Sequence, residues 1–240
     1  VALAQDVASL TDEGSYVAIV HGGGPQIQAL LGAVGRKSLF HEGLRVTDVD
    51  TMEFVAMGLS QVNLHLVAAL NAAGLDSVGL SGADNSTFRS TALGGPWGRA
   101  GSSPKVDAYL VNLLLRRGLT PVMSPLAIDE SGELVNCNAD SAAGALAGAL
   151  DATVLVLLSD VDQLRRDALD ESTSLDRVTG DVVRRMIDDG SVKDGMRPKM
   201  AAALDALDGG ARRVLVANGT RPHALRDVLA GTAPRTEVVA

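Results

Sequence analysis

Aromatic rings are scarce in this chain: Phe, Tyr and Trp together make up 2% of its 240 residues. A core must therefore be built from Ala, Val and Leu, and few platforms remain on which nucleic-acid bases could stack. Cysteine is nearly absent. Cys137 stands alone, which excludes an intramolecular disulfide and a multi-thiolate metal site and suits a reducing compartment. Lysine is rare as well: only Lys37, Lys105, Lys193 and Lys199 among 21 basic residues. The net charge of −8 and a pI near 4.9 oppose a phosphate-backbone partner. A basic-then-apolar leader is missing, as is an uninterrupted apolar run of ~18 residues, the length that spans a bilayer. The expectation is a soluble, cytoplasmic chain with neither nucleic acid nor membrane as partner.

What is present is a hydrophobic content of 46%, enough for a full core in one folding unit. Short apolar runs at 15–20, 76–82, 119–125, 152–160 and 211–217 alternate with segments of helical period, the pattern of a mostly parallel sheet covered by helices on both faces. Val154 to Leu158 lacks polar alternation and reads as a central strand buried on both sides. Residues 51–74 predict a long helix stopped by Gly74, with shorter helices at 141–150 and 197–207. The stretch 86–105, rich in Gly and Pro, predicts a small hairpin or a loop.

Four stretches carry chemistry. "IVHGGGPQIQALLGAVG" (19–35) runs from a strand through Gly22, Gly23 and Gly24 into a helix. A helix start leaves backbone N–H groups unpaired and carries partial positive charge, so it attracts an anion. Glycines allow close approach, and Pro25 suits the first helical turn because its missing N–H is not needed there. The same pattern also serves as a plain tight connection, and neither a P-loop nor a GxGxxG fingerprint is present. Ile27, Leu30, Leu31 and Val34 supply the apolar face of that helix. His21 adjoins the turn and serves to shape it rather than to catalyse. In "DGMRPKM" (194–200), Lys199 at a helix start offers a compact, mobile cation able to follow a phosphoryl group. In "VNCNADSAAGAL" (135–146), Asn138 or Asp140 can cap a helix, while Asp140 could orient the lysine and an asparagine amide could hold a polar substrate. In "HEGLRVTDVDTME" (41–53), Asp48 or Thr47 can cap the long helix, and Arg45 could grip a carboxylate with two parallel hydrogen bonds.

These pieces, in this order and together with "SPK" (103–105) and "LLSDV" (157–161), resemble the amino acid kinase superfamily and, within it, the N-acetylglutamate kinases; the likeness covers almost the whole chain. The resemblance implies an α/β fold, a three-layer α/β/α sandwich with a mostly parallel open central sheet, forming a single domain over 1–240. Its N-terminal lobe, about 1–150, would take the amino acid and its C-terminal lobe, about 151–240, the nucleotide. The reaction implied is ATP-dependent phosphorylation of the side-chain carboxylate of N-acetyl-L-glutamate, a step of arginine biosynthesis, with ATP and Mg²⁺ as cofactors and a homodimer paired through the long helix. Carried over by motif, Lys199 and Asp140 are catalytic, and Gly23, Gly24, Arg45 and Asn136 bind the substrate. Asp160, Val161, Asp162, Leu164, Ser191, Val192 and Lys193 line the ATP site, and no protein residue is expected to ligate a metal.

Two other readings stay open: a kinase for glutamate or 2-aminoadipate tethered to an acidic carrier protein, and a non-catalytic ligand-binding homologue. The family opens with a strand bearing Lys-x-Gly-Gly, whereas this chain begins at "VALAQDVASL", which reads as the helix after that strand. The expectation is that the sequence is a piece of a longer protein. Asp162 and Gln163 after Val161, and "SGADNSTFRS" (81–90), also depart from the family pattern in the nucleotide and amino-acid regions.

Overall fold

The computed structural model describes residues 1–167, 169–192 and 195–240. The elements run α1 (Ala2–Asp12), β1 (Ile19–Val20), α2 (Gly24–Ala33), β2 (Phe40–His41), β3 (Leu44–Arg45), α3 (Val49–Ala72), β4 (Ser77–Ser81), β5 (Phe88–Arg89), β6 (Ala92–Gly94), β7 (Gly98–Gly101), β8 (Lys105–Val106), α4 (Tyr109–Arg116), β9 (Thr120–Ser124), β10 (Leu126–Ile128), β11 (Leu134–Asn136), α5 (Ala139–Ala149), β12 (Leu155–Ser159), β13 (Arg177–Thr179), α6 (Gly180–Asp188), α7 (Met196–Asp208), β14 (Arg213–Asn218), α8 (Ala224–Ala230) and β15 (Arg235–Val239). The chain divides into two compact units, one formed by Gly14–Ala142 and the other by Val1–Glu13 with Ala143–Ala240.

In the first unit, β1, β9 and β4 form a parallel three-stranded sheet in that order. The middle strand β9 is buried throughout, which accounts for its run of Pro, Val and Met without alternation. Helix α3 packs on β4 and β9. Its buried positions Met52, Val55, Leu59, Asn63 and Leu70 recur at helical spacing, and Asp48 caps it by accepting from the Thr51 N–H at 2.6 Å. By length and composition α3 could cross a bilayer, the one such helix among the described residues. Here one face of it packs into its unit, where α2 lays Ile27 and Leu31 against it. Val34, expected on that apolar face, is instead 54% exposed, because the helix ends at Ala33 and the chain turns away.

The Gly- and Pro-rich stretch holds more order than a hairpin. Strands β6, β7, β11, β10, β5 and β8 form a six-stranded mixed sheet. Pairs of two or three residues, such as Phe88 with Val106 and Arg89 with Lys105, are too short to leave a period-2 signature.

In the second unit the sheet order is β12, β14, β15, β13, parallel except between β14 and β15. Val214 and Val216 join the apolar cluster shared with α6 and α7, while Leu215 and Ala217 face Val228 of α8. Helices thus cover both faces of this sheet. The sequence predicts a central strand at 154–158, yet β14 is the inner strand of the four-stranded sheet and this run belongs to the edge strand β12. Its alternate residues Leu157 and Val156 still enter the two opposite clusters, so burial on both faces, rather than central position, explains the missing alternation. Helix α1 joins this unit through α8: the buried Asp6 carboxylate accepts from His223 Nδ1 at 2.7 Å and from the Arg226 N–H at 3.3 Å.

Close helix packing depends on particular glycines. A Cβ at Gly58 of α3 would lie 2.8 Å from Ile27 Cγ1 and 3.1 Å from the Ile27 backbone nitrogen of α2. Overpacking of this kind costs about 1–3 kcal/mol, so Gly58→Val is expected to lower the thermal midpoint by roughly 3–10 °C. Differential scanning calorimetry of the two proteins checks it, and an unchanged midpoint would contradict the packing described here.

Candidate active site

The first unit gathers the amino-acid half of the predicted site. Gly23 caps α2, Gly24 opens it and Pro25 lies in its first turn. No side chain caps this helix, whereas α3 and α6 receive side-chain caps from Asp48 and Thr179. Among the described residues no acceptor faces the N–H groups of Gly22, Gly23 or Gly24, so the α2 start keeps unpaired donors and partial positive charge. The constraint on a side chain at 23 is one of space. The φ of −162° is open to any residue, but a Cβ there would lie 3.0 Å from Leu59 Cδ2 of α3.

Arg45 ends the β2–β3 hairpin. It is 8% exposed, its Nη2 donates to the Gly24 carbonyl at 3.2 Å, and its Nη1 donates to Ser38 Oγ. Phe40 stacks beneath the guanidinium, with the ring centroid 4.8 Å away. Burial lowers the Arg45 pKa, yet a guanidinium stays charged. The bond to Gly24 fastens this cation to the helix start.

Asn136 is tied to Arg45 through Thr47: Asn136 Nδ2 donates to Thr47 Oγ1 at 3.1 Å, and that hydroxyl donates to the Arg45 carbonyl at 2.8 Å. The two positions expected to hold substrate are therefore mutually braced. Thr47 is fully buried and spends its hydroxyl on this brace, leaving the α3 cap to Asp48.

Helix α5 starts beside the turn, since a Cβ at Gly22 would lie 3.7 Å from Ala139 Cβ. Asn138 caps it, accepting from the N–H groups of Asp140 and Ser141 at 2.8 and 3.1 Å. That leaves the half-buried Asp140 carboxylate for other partners. Neighbouring Cys137 is buried, and burial pushes its thiol up to about 11, so it is inert.

The second unit carries the nucleotide-half residues. Asp160, Val161 and Asp162 follow the C-terminal end of β12, the end at which ligands sit in open α/β sheets. Asp160 and Val161 are exposed, while Asp162 pairs with Arg221 at 3.0 Å. Leu164 turns into the core, its N–H donating to Thr236 Oγ1 at 2.8 Å. Val192 is likewise buried, so neither apolar side chain is free to line a pocket. Ser191 donates to Asp189 through its N–H at 2.8 Å and through its hydroxyl. Lys199 lies in the first turn of α7, half-buried and engaged. Lys193 lies outside the described residues.

His21, expected to shape the turn, has a buried partner that escaped the sequence reading, Asn63. His21 is 8% exposed, and its ring joins the Gly22 carbonyl through Nδ1 (2.9 Å) and Asn63 of α3 through Nε2 (3.0 Å). A polar Asn63 on the apolar stripe of α3 was the signal available.

The amino acid kinase family profile matches residues 1–218. The chain is 39% identical over 235 residues to an acetylglutamate kinase of Methanocaldococcus jannaschii, covering 92% of this chain and 78% of that protein. It is 42% identical over 232 residues to one of Bifidobacterium adolescentis, covering 92% and 72%. In fold it resembles the crystal structure of N-acetylglutamate synthase from Neisseria gonorrhoeae, with a TM-score of 0.84 at 23% identity over 100% of this chain and 55% of that one. The chain belongs to the amino acid kinase family.

Burial lowers the His21 pKa, outweighing the bond to Gly22 that raises it. An unfolded imidazole takes up its proton near pH 6.5, and the folded one resists until lower pH. The stability owed to the neutral ring is therefore complete above about pH 6.5 and is lost as pH falls toward the folded value. Between pH 7.5 and 5.5 the thermal midpoint is expected to fall further for the wild type than for His21→Gln. Equal slopes would show that this histidine titrates normally.

Proposed function

We propose that this chain catalyses ATP-dependent phosphorylation of the side-chain carboxylate of N-acetyl-L-glutamate, giving N-acetyl-L-glutamyl 5-phosphate and ADP, a step of arginine biosynthesis. The observation that carries the reading is the buried Arg45 guanidinium held on the Gly24 carbonyl. It puts a carboxylate-gripping cation beside a helix start whose donors are open to phosphoryl oxygens, and acetylglutamate kinases share about two residues in five with the chain.

The acceptor carboxylate, with a reference pKa of ~4.3, is ionised at neutral pH and needs no general base. One of its oxygens attacks the γ-phosphorus, the bond to the bridging oxygen breaks, and ADP leaves with that electron pair. The protein must align the groups and offset charge on the phosphoryl oxygens. In this reading the Gly23 and Gly24 N–H groups donate to those oxygens, and Arg45 and Asn136 hold the amino acid. Lys199 stabilises the transition state, Asp140 orients it, and the stretch after β12 with Ser191 and Val192 contributes main-chain groups to ATP.

Among the described residues no three His, Cys, Asp or Glu side chains gather to hold an ion. Mg²⁺ is proposed to arrive with ATP, ligated by phosphate oxygens and water, where it would neutralise phosphate charge. Free substrate is favoured over a carrier-linked one. Of the two basic residues near enough in sequence to Arg45 to meet an acidic carrier, Arg36 and Lys37, the first already pairs with Asp48 and Asp50 at 3.0 and 3.1 Å. Met57 and Leu64, seven residues apart on α3, are 49% and 69% exposed, and this face is proposed to seat a second copy in a cytoplasmic homodimer.

A coupled assay of ADP release with and without N-acetylglutamate tests the reaction, and binding of either substrate without turnover would favour a non-catalytic homologue. Removing a preorganised charge donor costs on the order of 10²–10³ in rate, so Lys199→Ala is expected to reduce kcat by that factor with a much smaller change in KM. Arg45→Lys, which loses the paired donors, is expected to raise the KM for N-acetylglutamate by roughly 10- to 100-fold. Unaltered kinetics in both variants would refute the assignment.

A further inference from the structure

The proposed reaction assigns no role to His21 and Asn63, yet both are buried and both bear on the glycine turn. Asn63 Nδ2 has two protons. One goes to the Val122 carbonyl of β9 at 2.8 Å and the other to His21 Nε2 at 3.0 Å, with the Leu80 carbonyl of β4 more distant at 3.4 Å. A carbonyl only accepts, so the contact with Val122 identifies this amide atom as nitrogen and as the donor. His21 Nε2 must then be the acceptor. At the opposite side of the ring, Nδ1 faces another carbonyl, that of Gly22 at 2.9 Å, and must be the donor. Two carbonyls therefore set the ring as the neutral Nδ1–H tautomer, and burial, which lowers its pKa, keeps the second proton off.

The space for this arrangement is built in. A Cβ at Gly79 of β4 would collide with Asn63 Oδ1, so the strand passes the amide only because residue 79 is glycine. The backbone at His21 is fixed too, since its N–H donates to the Met123 carbonyl at 3.1 Å.

The consequence reaches the turn through peptide geometry. A trans peptide is planar, and its C=O and N–H point in opposite directions. Holding the Gly22 carbonyl against His21 therefore directs the N–H of Gly23 away from the ring. Gly22 and Gly23, lacking side chains, have little else to fix that plane.

We propose that Asn63 and His21 are a positioning pair that sets the Gly22–Gly23 peptide plane and so aims the Gly23 N–H at the phosphoryl group in transfer. The proposal rests on the kinase reading given above. Neither side chain touches the reacting atoms: Asn63 selects the tautomer, His21 holds the carbonyl, and the main chain presents the donor.

The test begins with histidine ¹⁵N spectra of the intact protein, assigning His21 among the four histidines by the signals lost in His21→Gln. The expected spectrum has Nδ1 protonated and Nε2 bare at pH 7.5, the less common tautomer in solution. A protonated Nε2 would overturn the proposal, and this readout does not depend on activity. In Asn63→Asp the carboxylate can only accept from the ring, so Nε2 should gain a proton; the same spectra show whether Nδ1 gives up its own, which breaks the hold on Gly22, and if both nitrogens carry a proton His21→Gln is the variant taken into kinetics.

With MgATP and N-acetylglutamate, kcat of Asn63→Asp is expected to fall by about 10- to 100-fold, less than loss of a donor outright, while both KM values change less than about threefold. Asn63→Gln, which keeps an amide donor, should recover part of the loss. A kcat within twofold of wild type in a variant whose tautomer has switched would overturn the proposal. If Asn63→Asp fails to fold, His21→Gln is measured in its place, with the same expected fall in kcat, and a kcat within twofold of wild type in that variant would likewise overturn the proposal. Failure of the kinase reading itself is separable, because then the wild type would release no ADP while its histidine spectrum still reported the tautomer.

Discussion

The conformation of one peptide link in a turn of three glycines is the constraint on which the proposed site depends. A side chain at 23 would press on Leu59, and the uncapped start of α2 keeps its donors open. These same properties leave the main chain free to choose among many conformations, at a cost of about 1–2 kcal/mol for each backbone residue that must be fixed. A turn meant to hold an anion thus needs constraint from outside itself. Arg45 supplies it on one flank by donating to the Gly24 carbonyl, and His21 supplies it on the other by meeting that of Gly22. Both anchors take carbonyl oxygens, leaving the N–H groups unspent.

Each anchor is in turn held by something buried. Arg45 is braced through Thr47, whose hydroxyl also takes the amide of Asn136, so a residue of β11 and a residue of the β2–β3 hairpin share one fixed atom. His21 is held by Asn63, which also bonds to β9. The site inherits its rigidity from the parallel sheet and from α3, elements whose own burial is apolar and cooperative. Small residues recur wherever these parts meet closely: Gly58 under Ile27, Gly79 under Asn63, Gly23 under Leu59. A chain with so few aromatics fills its core with short side chains, and short side chains bring backbones near enough for such contacts.

The extent to which this was legible in the sequence follows from the range of each interaction. The glycine turn, Pro25, the Asp48 cap and the long helix α3 are set by neighbours within four or five residues, and local pattern reveals them. The strand at 152–160 was legible as an element, but its place at a sheet edge was not, since apolar cover on two faces looks alike at the edge and at the centre. The six-stranded sheet was hidden because its strands are two to four residues long. Arg45 and Asn136 could be singled out by type and by family likeness, whereas the Thr47 hydroxyl that joins them, 89 residues from Asn136 along the chain, has no local signature.

Asn63 marks the boundary of such reading. A polar residue on the buried stripe of a helix costs free energy unless it is fully hydrogen-bonded, and here both amide protons find acceptors. That cost is a physical reason to look for a use. The simplest structural use, fastening α3 to β9, needs only the bond to the Val122 carbonyl. The second proton goes to an imidazole nitrogen that must be bare to receive it, and a ring in that form can hold the Gly22 carbonyl only through its other nitrogen. A purely structural asparagine would be indifferent to which tautomer it met. This one is compatible with a single tautomer, and that tautomer is the one that turns the next peptide's donor away from the ring.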